Sequence, residues 1–323
     1  MKLEQSILLQ SLSHILSGAN VATHSQGYFG SFLRRTWSAL SAYMLLLKLR
    51  SATLNSLSAL VGSLLAAGGH FPWKAAFIST LAVWLAAAGS GALNSYIDRD
   101  IDKVMHRTCR RPLPLGIIKP AEKALYAGIF LVIIGLIISA VWVNIVVTLF
   151  IASGAAIYII VYTMWLKRET PLSIVIGGFA GICALLAGWS TVTTTFSLSS
   201  LLFSIFVYLW TIGHFGGLAI KIQDDSERAN IPTLSTVYGE KAASKWTALA
   251  NMVLFPLSII PYLLGILNEV YLFISLIIGV IVLTANIKLY FSPTTRTAWT
   301  VFKLSSPYLA TVYLTSVVDI LVK

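Results

Sequence analysis

Between Lys123 and Lys167 the chain runs for 43 residues without a charged side chain. A helix rises about 1.5 Å per residue, so this run covers roughly twice the ~30 Å hydrocarbon core of a bilayer. In lipid every backbone N–H and C=O must be bonded internally, which leaves helices as the economical solution. The run therefore reads as two spans turning near Asn144. Residues 170–220 are also uncharged and read as two more, turning in the polar run 191–200. Residues 37–67 hold a first span, with Lys48 and Arg50 near its start, and residues 71–96 a second. Residues 246–267, 270–288 and 298–322 supply three more. The expectation is an all-α polytopic membrane protein with about nine transmembrane helices bundled around a central cavity.

Charged residues make up only 11% of the 323 residues and hydrophobic ones 57%, whereas a soluble domain carries about 25% charged residues. The net charge of +11 reads as basic loops on one side of a membrane rather than as a nucleic-acid surface. If nine helices alternate, all of the 23 Lys and Arg except Lys74 and Lys323 fall on one side. That side is expected to be cytoplasmic, with the N-terminus there and the C-terminus outside, in a multi-pass cell-membrane protein. Residues 1–37 read as an amphipathic or disordered N-terminal extension, and residues 38–323 as the membrane domain. His14 and His24 in the extension read as solvated. Cys109 and Cys183 have no metal-ligand spacing, and no disulfide is expected.

Charge of both signs is concentrated in residues 94–116, NSYIDRDIDKVMHRTCRRPLPLG, where the second apolar segment ends. Asn94, Asp98 and Asp102 are four apart and share one helical face, while Asp100 points elsewhere. An amide and two carboxylates in a row are oxygen ligands for a hard divalent cation; Mg²⁺ is commonly held by one or two carboxylates plus substrate phosphate oxygens. Arg107, Arg110 and Arg111 follow, and guanidinium forks suit phosphate. Pro112 and Pro114 then stop the helix. The row begins inside an apolar span, where polar groups are expensive and tend to be functional. The combination suggests a diphosphate held through Mg²⁺.

A second constellation ends the sixth span, WTIGHFGGLAIKIQDDSERANIPTLSTVYG. Trp210, His214, Gly217, Lys221 and Asp225 recur at helical spacing and are expected on one face. Asp224 and Asp225 end this helix as Asp98 and Asp102 follow the second, four helices earlier. Two acid-bearing helix ends so spaced suggest two halves facing across a site. His214 reads equally as a histidine bonded to a neighbouring carbonyl or hydroxyl, or as a substrate contact, proton acceptor or metalloporphyrin ligand. Tyr162, Lys167 and Arg168 end the fourth span and read as interfacial anchors or as diphosphate contacts. Gly177, Gly178 and Gly181 suit close helix packing.

These segments together resemble the UbiA superfamily of intramembrane prenyltransferases. YIDRDIDKVMHRTCRRPLPLG is similar to that superfamily's first Asp-rich motif, and the QDD region stands in the place of the second. The segment HFGGLAIKIQDDSERANIPTLSTVYG, with YTMWLKR and FKLSSPYL, is most similar to the branch that farnesylates protoheme IX. The likeness covers about residues 45–320. It departs from the branch at Gly213, Ile182–Leu186, Ser226 and Leu47–Leu49. The resemblance implies transfer of farnesyl from farnesyl diphosphate to a vinyl group of heme B. It also implies a Mg²⁺ cofactor held by Asn94, Asp98, Asp102 and Asp225 with Asp224 assisting. Arg107, Arg110, Arg111, Lys167 and Arg168 would bind diphosphate, Tyr162 or Trp210 would line the cavity, and His214 would contact heme. The partners implied are the lipid bilayer, both substrates and, downstream, a heme A synthase or terminal oxidase, with no nucleic acid. A quinone precursor or a glycerol-phosphate lipid remains the alternative acceptor. A transporter is disfavoured because its acids should lie near the bilayer midplane. A purely heme-holding protein would not need two acidic rows.

Overall fold

The computed structural model describes residues 40–67 and 71–322; the 1–37 extension, with His14 and His24, lies outside them. The chain divides into two units, Met1–Tyr43 and Met44–Lys323, and the helical bundle is the second. Among the described residues every regular element is helical. The long ones are α1 (Leu49–Ala66), α2 (Trp73–Ile97), α4 (Glu122–Trp142) and α5 (Ile145–Ala156), with the short α3 (Arg99–Val104) after α2. A π-helical segment, Ile157–Leu166, carries α5 onward. Then come α6 (Ser173–Gly177), α7 (Phe179–Trp189), α8 (Leu198–Lys221), α9 (Gln223–Arg228), α10 (Leu234–Met252), α11 (Leu254–Leu263), α12 (Glu269–Phe291) and α13 (Thr295–Val322).

Among the described residues six helical runs are long and apolar enough to cross a membrane: Trp73–Ile97, Glu122–Trp142, Ile145–Glu169, Leu198–Lys221, Leu234–Leu263 and Glu269–Phe291. On that measure the expected count of nine spans is not reached among the described residues. Ser173–Trp189 is apolar but shorter. Helix α1 has only 18 residues and several serines, and α13 carries Arg296, Lys303 and Asp319. The expected turns form. Asn144 caps α5, accepting from the Val147 amide at 2.9 Å. Ser197 and Ser200 make a capping box that opens α8, which supplies partners for otherwise orphaned N–H groups.

The helices close into a ring. Helix α1 packs on α2 and α7, α2 on α4, α7 on α5 and α8, α8 on α10 and α13, and α12 on α13, which returns to α1. Lipid tails are as apolar as leucine, so helices associate through close packing rather than through a hydrophobic drive. The sequence supplies small residues for this. A Cβ on Gly188 would collide with the Ala59 backbone of α1, and one on Gly89 of α2 with the Gly128 backbone of α4. Large apolar side chains such as Phe130, Ile133 and Ile137 face outward instead. A large buried apolar cluster gathers around the fully buried Tyr271, Tyr308, Leu254 and Leu185.

Candidate active site

The row forms as its spacing requires. Helix α2 ends at Ile97 and α3 begins at Arg99. The ladder nonetheless continues through Asp98 N–H to Asn94 C=O (2.9 Å) and Asp102 N–H to Asp98 C=O (2.8 Å). Asn94, Asp98 and Asp102 stay on one face and are buried, at 3%, 1% and 3% exposure. Burying carboxylates is costly unless they are paired, and each member of the row has a basic side chain beside it. Lys48 Nζ donates to Asn94 Oδ1. Lys167 Nζ donates to Asp98 Oδ2, and Arg111 donates to Asp102 Oδ2 at 2.7 Å. Asn94 Nδ2 ties the row to the fourth span, donating to Asp98 Oδ2 (2.8 Å) and to Thr163 Oγ1 (3.0 Å). Lys167 and Arg111 pair with the two carboxylates and Lys48 adds a third basic side chain, a setting that suits an anion. Asp98 Oδ1 is buried with no hydrogen-bond partner among the described residues. A narrow crevice lined by Leu46, Ser95, Arg111 and Pro112 lies beside Asp102.

Thr163 reaches the row because Ile157–Leu166 is π-helical. Its hydroxyl donates to the Tyr158 carbonyl five residues back, at 2.7 Å. π-Helical geometry within an α-helix is rare and is frequent at functional sites. The same stretch stacks Tyr162 on Tyr158, with centroids 5.8 Å apart and planes 11° apart. Gly177 lets the Tyr162 ring lie against α6. Asp100 points away from the row, as expected, and is gripped by Arg168 through two contacts of 2.8 Å.

The second acidic segment meets the first at the same end of the bundle. Asp225 is buried on α9 and accepts from two backbone amides of the loop after α3: His106 N–H at 2.8 Å on Oδ1 and Arg107 N–H at 3.0 Å on Oδ2. Beneath this contact Ile231 packs against Ile101 and Met105. The ANIP segment is therefore an apolar wedge between the two motifs. Asp224 and Arg110 are exposed. Helix α8 ends at Lys221, so the expected single face from Trp210 to Asp225 is divided. Trp210 and His214 face α13, where Trp210 Nε1 donates to the Ser305 carbonyl and His214 Nδ1 lies 2.6 Å from Ser305 Oγ. Among the described residues no group of three His, Cys, Asp or Glu side chains is arranged to enclose a metal by itself. The row's oxygens, with one Asp98 oxygen unpartnered, do fit a hard cation completed by substrate oxygens and water.

Sequence reasoning missed Lys48, Thr163, Phe302 and Ser305. Lys48 sits at a helix break with φ +50°, and the sequence marked it only as a charge near the start of an apolar span and as part of the departure at Leu47–Leu49. Phe302 and Ser305 lie in the FKLSSPYL segment, where nothing in the spacing singles them out.

Residues 55–307 match the model of the UbiA prenyltransferase family. The chain belongs to that family. It is an enzyme of the prenyltransferase class and, with its six apolar helices, a multi-pass membrane protein. It is 39% identical over 241 residues to protoheme IX farnesyltransferase of Desulforudis audaxviator, covering 74% of this chain and 75% of that one. The enzyme of the same name from Metallosphaera sedula is 38% identical, covering 83% and 92%. That from Alkalilimnicola ehrlichii is 35% identical, covering 88% and 93%. Among solved structures, digeranylgeranylglyceryl phosphate synthase superposes with a TM-score of 0.72 at 21% identity, covering 88% of this chain and 99% of that one. A UbiA homologue from Archaeoglobus fulgidus bound to GPP and Mg²⁺ superposes at 0.62 with 16% identity, covering 85% and 99%. These likenesses establish the fold.

Proposed function

We propose that this protein transfers a farnesyl group from farnesyl diphosphate to a vinyl group of protoheme IX, giving heme O. The observation that carries the reading is the buried Asn94–Asp98–Asp102 row with Lys48, Lys167 and Arg111 drawn up against it. The acceptor comes from the relatives, which carry the name protoheme IX farnesyltransferase at 35–39% identity. The metal and the allylic diphosphate are supported by the Archaeoglobus fulgidus homologue bound to GPP and Mg²⁺.

Asn94, Asp98 and Asp102 would hold Mg²⁺, which supplies positive charge that makes diphosphate a better leaving group. Lys48, Lys167 and Arg111 would take up phosphate charge, Arg111 through a fork suited to two phosphate oxygens. Preorganised charge of this kind stabilises charge that develops as the C–O bond breaks. The allylic carbon then bonds to the vinyl carbon, and water adds to the cation left on the porphyrin side chain and loses its proton to solvent, giving a hydroxyethylfarnesyl group and free diphosphate. Tyr158 and Tyr162 wall the site and exclude water from the allylic cation, whose charge an aromatic face stabilises. Asp225 holds the His106–Arg107 loop in position, with Asp224 and Arg110 at its outer edge. The basic loops at this end support a cytoplasmic placement of the site.

The test offers the purified enzyme farnesyl diphosphate and Mg²⁺ with heme B, a quinone precursor or a glycerol-phosphate lipid, and reads products by mass. Heme B gaining a farnesyl and a hydroxyl group supports the reading. A farnesylated quinone precursor or lipid, with heme B untouched, moves the acceptor and leaves the diphosphate site standing.

A further inference from the structure

Trp210, His214, Phe302 and Trp299 form a column of stacked rings between α8 and α13. Ring centroids are 4.7 Å apart for Trp210–His214, 4.4 Å for His214–Phe302 and 4.9 Å for Phe302–Trp299, with interplanar angles of 15°, 28° and 13°. Both faces of the imidazole are covered, so His214 does not offer a face to a planar ligand. It offers only the part of its edge that the perpendicular Phe215 ring, 5.2 Å away, leaves open.

Hydrogen-bond accounting fixes which nitrogen that edge presents. Ser305 Oγ lies 2.7 Å from the Phe302 carbonyl and 2.6 Å from His214 Nδ1. The carbonyl can only accept, and a serine hydroxyl has one hydrogen. Both contacts are satisfied when Ser305 donates to Phe302 and accepts from Nδ1–H. A neutral imidazole has one N–H, so Nε2 then carries a bare lone pair. Among the described residues Nε2 has no hydrogen-bond partner. The holder is itself fixed: Ser305 is 2% exposed, its carbonyl accepts the Trp210 indole N–H at 2.7 Å, and Gly217 lets α8 approach α13 at Ala298 and Phe302.

We propose that Ser305 is a positioning residue that holds His214 as the Nδ1–H tautomer, and that His214 Nε2 is the axial ligand to the iron of the tetrapyrrole acceptor. The proposal rests on the heme reading and deepens it. Neutral imidazole nitrogen is a usual ligand of heme iron. A hydrogen bond from the other ring nitrogen orients such a ligand and raises its basicity. The stacked neighbours keep the ring from rotating, so the macrocycle is anchored at a set depth in the bundle.

The experiment titrates heme B into the full-length protein in nanodiscs. It records optical and EPR spectra and, after reduction, the iron–histidine stretching band by resonance Raman. Wild-type protein is expected to give a histidine-ligated heme. His214→Gly is expected to lose that signature and to regain it with added imidazole. Ser305→Ala is expected to keep it, with affinity reduced roughly tenfold and the stretching band moved to lower frequency, as loss of an outer-shell partner dictates. An unchanged histidine signature in His214→Gly, or an unmoved band in Ser305→Ala, overturns the proposal. Farnesylation is measured by mass on the same samples, which separates the two ideas. Product formed with iron spectra indifferent to His214 removes the ligand and leaves the acceptor reading. Heme bound through His214 without product does the reverse.

Discussion

Asp98 and Asp225 stand at the same end of the bundle, each just past a long apolar helix, and both are almost fully buried. Their surroundings differ. Asp98 accepts from two side chains, Lys167 and Asn94, on a single oxygen, and its other oxygen has no partner among the described residues. Asp225 spends both oxygens on backbone amides of the loop that follows the first row. Charged side chains can swing away from a carboxylate when a ligand arrives, whereas backbone amides move only with their loop. The first arrangement is poised to exchange partners and the second to hold a shape. Equivalent position along two helices therefore does not mean equivalent work: we read Asp98 as a ligand and Asp225 as the clamp that sets the ligand's surroundings.

The sharpest way to break the comparison is to remove each side chain in turn. Asp98→Ala is expected to lower kcat/KM roughly 10²–10³-fold, on the scale of removing one preorganised electrostatic group. Heme binding should be unchanged by spectral titration, and retention of turnover would contradict the ligand role. Asp225→Asn leaves one of two amides without its acceptor. Its expected cost is about 1–3 kcal/mol of stability, seen in thermal melts, with a smaller activity loss than Asp98→Ala. Arg111→Lys keeps the charge but removes the fork, so a rise of several-fold in KM for the diphosphate, with kcat nearly unchanged, is expected from steady-state kinetics. The smallest effect belongs to Asp100, whose pKa is held down to about 2, first by the hydrogen bond from Arg168. A depressed carboxylate contributes stability above its unfolded pKa of about 4 and loses it as pH falls through the folded value. Between pH 4 and pH 2, Asp100→Asn should therefore flatten the fall in melting temperature slightly. More than half of the Asp100 side chain is exposed, which keeps the effect below about 1 kcal/mol.

Much of this was legible in the chain. The 43 uncharged residues and the four-residue spacing of Asn94, Asp98 and Asp102 follow directly from helix geometry, and both appear as read. The turns at Asn144 and in residues 191–200 carried their own capping residues. What escaped reading depends on breaks in regular helix. Lys48 reaches Asn94 from a left-handed residue between helical segments, and Thr163 reaches it through a π-helical turn; neither follows from a 3.6-residue period. The face expected to run from Trp210 to Asp225 failed for the same reason, because α8 stops at Lys221 and a separate short helix carries Asp225. Ser305 was invisible because serine spacing in an apolar helix carries no signal until its partner across the interface is known.

The most direct measurement is divalent-ion binding, with Mn²⁺ followed by EPR in the presence of a non-hydrolysable farnesyl diphosphate analogue, for the wild type, Asp98→Ala and Asp225→Asn. The account predicts that Asp98→Ala abolishes the bound-ion signal and that Asp225→Asn keeps it with modestly weaker affinity. A signal that survives in Asp98→Ala and vanishes in Asp225→Asn would exchange the two roles and contradict the account.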